Sequence, residues 1–287
     1  MRRCPMNKTS VQAAFVAAGL ARLTKDIDAI AKASIRLFTT PVSESTLAIG
    51  TSKLGGLPDL PADVAWPEWK GTPQSFIAQI RLDDAHTHDV DGVLPEHGML
   101  WFFYDAQQQI FGADLTDKGG WSVLFAEHPA NLQRISAPTT LPPTSQFRSC
   151  AFRFATEITL ASQPQLELPH FDWTNEEQKQ YETLLSNFPT PEDHAAIHHR
   201  LLGNPDTIQD DMRMQCQLAS NGLTDASGPN ADEQAKAAME WHLLFQVDSD
   251  EQAGMLWANT GMLYYWLKRT DLQAHRFNAA WLVLQSE

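Results

Sequence analysis

Two aspartates, Asp248 and Asp250, close an apolar run and stand two residues apart. In extended backbone that spacing turns both carboxylates to one side, as a divalent cation favours. With a histidine as third ligand they would form a metal-assisted hydrolase, the alternative enzymatic reading of this chain. His194 and His198 are four apart in a segment with helical start signals, so they share a face there, with His199 beside them. A zinc-peptidase helix needs glutamate directly after the first histidine. Ala195 stands there instead, and the pair reads as buried and hydrogen-bonded rather than metal-ligating. His86-Thr87-His88-Asp89-Val90-Asp91 is rich in donor types, but Val90 occupies the place where a binuclear hydrolase loop needs aspartate, and a calcium loop's distal glutamate is missing. It reads as a solvated turn. Cys4, Cys150 and Cys216 are too few and too scattered for a disulfide framework or a thiolate zinc site, which favours a reducing compartment. The serine nucleophile elbow, the phosphate loop and the dinucleotide fingerprint do not occur. These residues point to binding rather than catalysis, without a cofactor.

Charge selects the partner. Lys and Arg total 21 against 35 Asp and Glu, a formal net charge of -14. Such a surface repels phosphate backbones and anionic headgroups, so nucleic acid and membrane are excluded and a basic protein or peptide is favoured. Candidate contact residues are the loop tryptophans Trp66 and Trp69, the acidic residues Asp83, Asp84, Asp248 and Asp250, and Trp257. Neutralising the four aspartates is expected to slow partner capture and leave the fold intact.

The elements that must position these residues follow from hydrophobic period and punctuation. Met1-Arg2-Arg3 before the apolar run 13–21 superficially resembles a secretion signal. Val16, Leu20, Leu23, Ile27 and Ile30, however, continue the run as one stripe of an amphipathic helix, and no stretch approaches the ~20 apolar residues of a membrane span. The chain reads as soluble and cytoplasmic. Period-two runs predict strands over 46–50, 75–82, 99–104, 110–114, 121–126, 150–160, 241–247, 255–257, 261–267 and 279–285. Thr174 with Glu177 predicts a capping box, Thr190-Pro191 starts a helix ending near Gly203, and 232–239 is a short helix. Strands in runs rather than in alternation with helices give an α+β class with a mostly antiparallel sheet.

The chain also resembles itself. Gly56-Leu57-Pro58-Asp59 recurs as Gly203-Asn204-Pro205-Asp206, Phe76-Ile77-Ala78-Gln79-Ile80 as Leu243-Leu244-Phe245-Gln246-Val247, and Gly98-Met99-Leu100 as Gly261-Met262-Leu263. From glycine to glutamine is 23 residues in the first copy and 43 in the second. The organisation read from this is an N-terminal helix and lead-in over 1–45 and one domain over 46–287. That domain is built of two pseudo-repeats, about 46–135 and 195–287, joined by a Pro-rich connector, a long strand and helices. Gln79 and Gln246 each interrupt an apolar strand. An unpaired buried amide costs on the order of 1–3 kcal/mol, so each is expected to bond the backbone after its glycine-proline turn.

Lys53-Leu54-Gly55-Gly56-Leu57-Pro58 with Trp66-Pro67 and Phe76 to Ile80, and then Arg200 to Pro205 with Leu243 to Asp250, Trp257 and Gly261 to Asp271, resemble the YwqG family. The resemblance runs from about Thr51 to the C-terminus. It implies a bacterial cytoplasmic protein with a domain of unknown function; some members are thought to neutralise toxins, so an immunity-like role is implied. The chain departs from the family pattern at Leu202 and Asn204, and at Ala258-Asn259.

Overall fold

Two eleven-residue strands, β1 (Ala31–Pro41) and β6 (Cys150–Leu160), pair antiparallel along their whole length, and the rest of the protein is built outward from them. The computed structural model describes residues 8–226 and 230–287; Cys4, the Met1-Arg2-Arg3 start and part of the loop 221–230 lie outside the described residues. The remaining strands of the main sheet are β2 (Lys53–Leu54), β3 (Ser75–Arg81), β4 (Met99–Tyr104), β5 (Trp121–Ala126), β7 (His199–Leu201), β8 (Trp241–Asp248), β9 (Met262–Lys268) and β10 (Trp281–Gln285). They stand in the order β10-β9-β8-β7-β1-β6-β2-β3-β4-β5, every neighbouring pair antiparallel.

The two outermost strands approach each other, so the sheet nearly closes into a barrel. The Trp121 indole donates to Ala280 O at 2.8 Å, the Trp281 indole donates to Gly112 O at 2.9 Å, and the two rings meet edge to face. Inside, Phe102 of β4 lies against Phe245 of β8 and Tyr265 of β9, and the Tyr265 hydroxyl donates to Phe103 O. These contacts join the two arms through one core, whose apolar burial is the main favourable term in folding. Nine α-helical segments are present among the described residues. None is long and apolar enough to cross a membrane.

Several expectations are corrected. The stripe from Val16 to Ile30 is not one helix. The helix Lys8–Ala17 stops before Gly19, whose φ of +81° breaks the turn, and a separate helical turn spans Ile27–Ile30. Leu20, Leu23, Ile27 and Ile30 are nonetheless buried, while Val16 is exposed. The segment assigned to a lead-in contains β1, at the centre of the sheet. The helix begun at Pro191 ends at His194, because the following residues pair with β1 and β8 as β7. His194 and His198 therefore share no helix face. Residues 46–50 and 110–114 are loop rather than strand. Only one bridge, Asp250 to Met255, forms near 255–257. The capping box at Thr174 and Glu177 is present, starting the helix Asn175–Leu185.

Candidate binding site

The two glutamines sit in the same environment at two corners of the barrel. Gln79, fully buried on β3, donates from Nε2 to Thr51 O and to Asp59 Oδ2, both at 2.8 Å, and its Oε1 accepts from Asp59 N at 2.8 Å. Gln246, fully buried on β8, donates to His198 O at 2.8 Å and to Asp206 Oδ2 at 2.9 Å, and accepts from Asp206 N at 2.9 Å. Both amides thus bond the backbone just after glycine-proline, as expected. Trp101 closes the first ring by donating to Asp59 O, and the Tyr264 hydroxyl closes the second by donating to Asp206 O.

The glycines of the two turns are required by both conformation and space. Gly56 and Gly203 have φ of +75° and +77°. A Cβ on Gly56 would meet the Glu44 carboxylate, and one on Gly203 would lie 2.6 Å from Ser34 Cβ and 2.7 Å from Thr159 Oγ1. Asn204, one of the departures from the resembled family, donates from its side chain to Ile30 O and Thr159 O, both at 3.0 Å. It ties the second turn to the two central strands.

Each ring carries a buried cation facing its aspartate. In the first corner Lys53 Nζ lies 2.6 Å from Glu44 and 3.6 Å from Asp59. Arg134 then fills the remaining space: it donates from Nε to Asp59 Oδ1 at 2.9 Å, and its Nη atoms reach Glu44 O at 2.8 Å and Leu47 O at 3.1 Å. Burial alone would raise the Asp59 pKa, but Arg134, the Gly50 amide, Gln79 and Lys53 together hold it below the ordinary carboxylate value. This corner is closed.

The second corner has the same ring and a different filling. Arg200, buried, lies 2.7 Å from Asp206 and 3.2 Å from Glu157. Arg36 reaches Glu157 at 3.6 Å and donates to Ile197 O, while its Nε has no hydrogen-bond partner. Burial pulls the Arg36 guanidinium below its usual value, with Glu157 acting against it. His198 has Nδ1 2.7 Å from the Asp206 carboxylate and Nε2 2.7 Å from Asp193 O. Burial works to raise the Asp206 pKa, yet Arg200 and His198 hold it well below the usual range. No donor reaches Asp206 Oδ1 among the described residues, and the side chain is 31% exposed. It opens on a cavity of about 320 Å³ that Leu185, Phe188, Asp193 and His194 also line.

The expected contact residues are dispersed. Asp250 is fully buried: its carboxylate accepts from Thr39 Oγ1 at 2.9 Å, Gln252 N at 2.8 Å and Ala253 N, and faces His199 Nε2 at 3.3 Å. Burial is outweighed there by His199 and Thr39, which bring its pKa down to about 2. Asp248 accepts from His198 N at 2.8 Å, and burial raises its pKa. The two carboxylates thus face separate donors, and no group of three or more His, Cys, Asp or Glu among the described residues is arranged to hold a metal ion. Trp257 is buried and donates to Asp248 O. Trp66 and Trp69 are half-buried, Trp66 edge-on to Phe103 and Trp69 beneath the Lys70 ammonium. Asp83 and Asp84 are exposed, Asp83 beside His97 at 3.0 Å and Asp84 accepting from Ser52.

Sequence reasoning missed Arg36, Glu157, Arg200, Asp206 and Arg134. The signal for the two ring aspartates was the repeated Gly-x-Pro-Asp itself, in which Asp59 and Asp206 hold the same place. No curated protein matches the chain. The family model for a domain of unknown function, DUF1963, matches residues 52–286, which includes Asp59, Gln79, Asp206 and Gln246 and every strand of the main sheet except β1. The chain belongs to the DUF1963 family.

Proposed function

We propose that this chain is a non-catalytic binding protein of a reducing, cytoplasmic compartment, and that its open corner receives a basic side chain of a partner protein or peptide. The observation that carries the reading is the unequal filling of two like rings: Asp59 Oδ1 is met by Arg134, whereas His198, Arg200 and Gln246 all reach Asp206 at Oδ2 and Asp206 lines a cavity. Glu157, Asp193 and Asp206 line that cavity together with Arg36, Arg200 and two histidines. The net charge of -14 and the exposed Asp83 and Asp84 support electrostatic capture of a basic partner. The matching rings also support an origin of the two arms by internal duplication, and with it the YwqG resemblance.

The test is titration of the full chain with N-acetylarginine amide, with capture of partners at low and high salt alongside. Saturable binding is expected, abolished by Asp206→Asn and by Leu185→Trp, which fills the cavity without touching the charges. Equal binding by the wild type and Leu185→Trp overturns the site. A tightly bound divalent ion with a hydrolytic activity, both lost in Asp248→Asn and Asp250→Asn, overturns the binding reading in favour of a metal-assisted hydrolase.

A further inference from the structure

His198, immediately before β7, faces two acceptors at once. Its Nδ1 lies 2.7 Å from Asp206 Oδ2, and its Nε2 lies 2.7 Å from the main-chain oxygen of Asp193. A carbonyl oxygen only accepts, so Nε2 carries a proton. Burial works to raise the Asp206 pKa, but Arg200 and His198 outweigh it and keep that carboxyl ionised, so it too can only accept. Both contacts are hydrogen bonds together only when the ring is an imidazolium. In the first corner Thr51 takes this place: Gln79 bonds Thr51 O as Gln246 bonds His198 O, and Lys53 follows Thr51 by two residues as Arg200 follows His198. The open corner therefore carries a titratable ring where the sealed one carries a hydroxyl.

Loss of one proton rearranges these contacts. With Nε2–H kept on Asp193 O, Nδ1 becomes a lone pair facing a carboxylate oxygen at 2.7 Å, which repels it. Arg200 Nη2, 2.7 Å from Asp206 Oδ2 and 3.2 Å from Nδ1, is placed to donate to the neutral ring instead. The other charged groups around the ring have partners of their own. Asp248 on β8 accepts from His198 N, Glu157 on β6 faces Arg200 and Arg36, and His199 faces Asp250. Asp193 and His194 complete the charged surroundings on the cavity wall.

We propose that the His198 imidazolium is the resident cation of the open corner, occupying Asp206 until a partner's basic side chain replaces it, so that capture releases a proton and weakens as pH falls. This regulation rests on the reading of the cavity as the site of a basic side chain. A second cation beside Asp206 repels the imidazolium and favours the neutral ring, with the proton passing to solvent. By reciprocity, a proton on the ring weakens binding of the cation by the same factor. Histidine is the side chain suited to such an exchange between about pH 5 and pH 8.

The experiment is calorimetric titration of the full chain with N-acetylarginine amide, in two buffers of different ionisation enthalpy, from about pH 5 to about pH 8. Nitrogen NMR of the ligand-free imidazole accompanies it. Affinity is expected to rise several-fold across that range, with up to one proton released per ligand at the acidic end. His198→Gln should bind with one affinity throughout and release none. Without ligand, both His198 ring nitrogens should be protonated at the acidic end, and Nδ1 should lose its proton as pH rises. A ring that loses the Nε2 proton instead, or that keeps one protonation state over the whole range, overturns the exchange whether or not the ligand binds. Proton release that persists in His198→Gln, as from His194, overturns it too. No binding at any pH, with the ring titrating at Nδ1 as expected, overturns the basic-side-chain reading of the cavity and the exchange with it.

Discussion

The corner around Asp59 and the corner around Asp206 share a glutamine, an aspartate and a glycine-proline turn, yet one is sealed and the other opens on a cavity. The difference lies in where the second cation comes from. In the first corner Arg134 arrives from outside the sheet, on a short strand that pairs with Asp59–Pro61, and saturates Asp59. In the second, Arg36 comes from within the central strand and meets Glu157 instead, leaving one face of Asp206 unfilled. The same backbone ring thus lies sealed in one place and forms the wall of a cavity in the other. Stability should be concentrated in the first corner and binding in the second.

The largest expected effect is at Arg134. Arg134→Met leaves the fully buried Asp59 with Lys53 as the one cation beside it, and breaking a buried pair typically costs about 3–5 kcal/mol. Arg36→Met should cost less, roughly 1–2 kcal/mol, because Glu157 keeps Arg200 and the cavity admits water. Urea unfolding of both variants checks this, and equal losses would break the contrast between the corners.

Next come the glutamines, where the corners should behave alike. Gln79→Leu and Gln246→Leu each strand one buried amide N–H and one carbonyl, a loss on the order of 2–3 kcal/mol in either arm. Melting temperatures should fall together. A neutral substitution in one arm would show that its ring is not needed for the fold.

Protonation gives a smaller effect outside both corners. His242 has its pKa near 4 in the folded chain against an ordinary 6.5, so the unfolded state binds the proton first as pH falls. Its contribution is therefore fully present above pH 6.5 and is lost as pH drops towards about 4. His242→Gln should flatten that part of the stability profile measured by denaturant unfolding at a series of pH values.

The smallest expected change in stability, within about 0.5 kcal/mol, is for Asp83→Asn with Asp84→Asn, both being exposed. These variants should instead slow partner association at low salt, with the difference fading as the Debye length shortens to about 8 Å at physiological ionic strength. Stopped-flow rates that ignore both salt and substitution would remove the acidic face from the binding reading.

Much of the frame was legible in the chain before folding. Strands β4 and β5 match their period-two runs residue for residue, and the Thr174 capping box forms as its spacing requires, because each depends on local alternation or on atoms three residues apart. The roles of Gln79 and Gln246 were legible too, since a buried amide demands partners wherever it sits. Residues 199–201 show where local signals fail. Thr190 and Pro191 do start a helix, but pairing of His199 to Leu201 with β1 and β8 outweighs its continuation and turns His198 out of line with His194.

By itself the sequence determined the antiparallel α+β class, the net charge of -14 and the two recurring turns, all properties of local pattern and summed charge. Only the tertiary structure decided that Asp250 and Trp257 are buried, that Arg36, Glu157 and Asp206 come together across 170 residues of chain, and that one corner is filled while its counterpart is open. The reason is physical. Burial and charge pairing depend on which strands become neighbours, and β1, β6 and β7 are neighbours through sheet pairing rather than through any spacing in the chain.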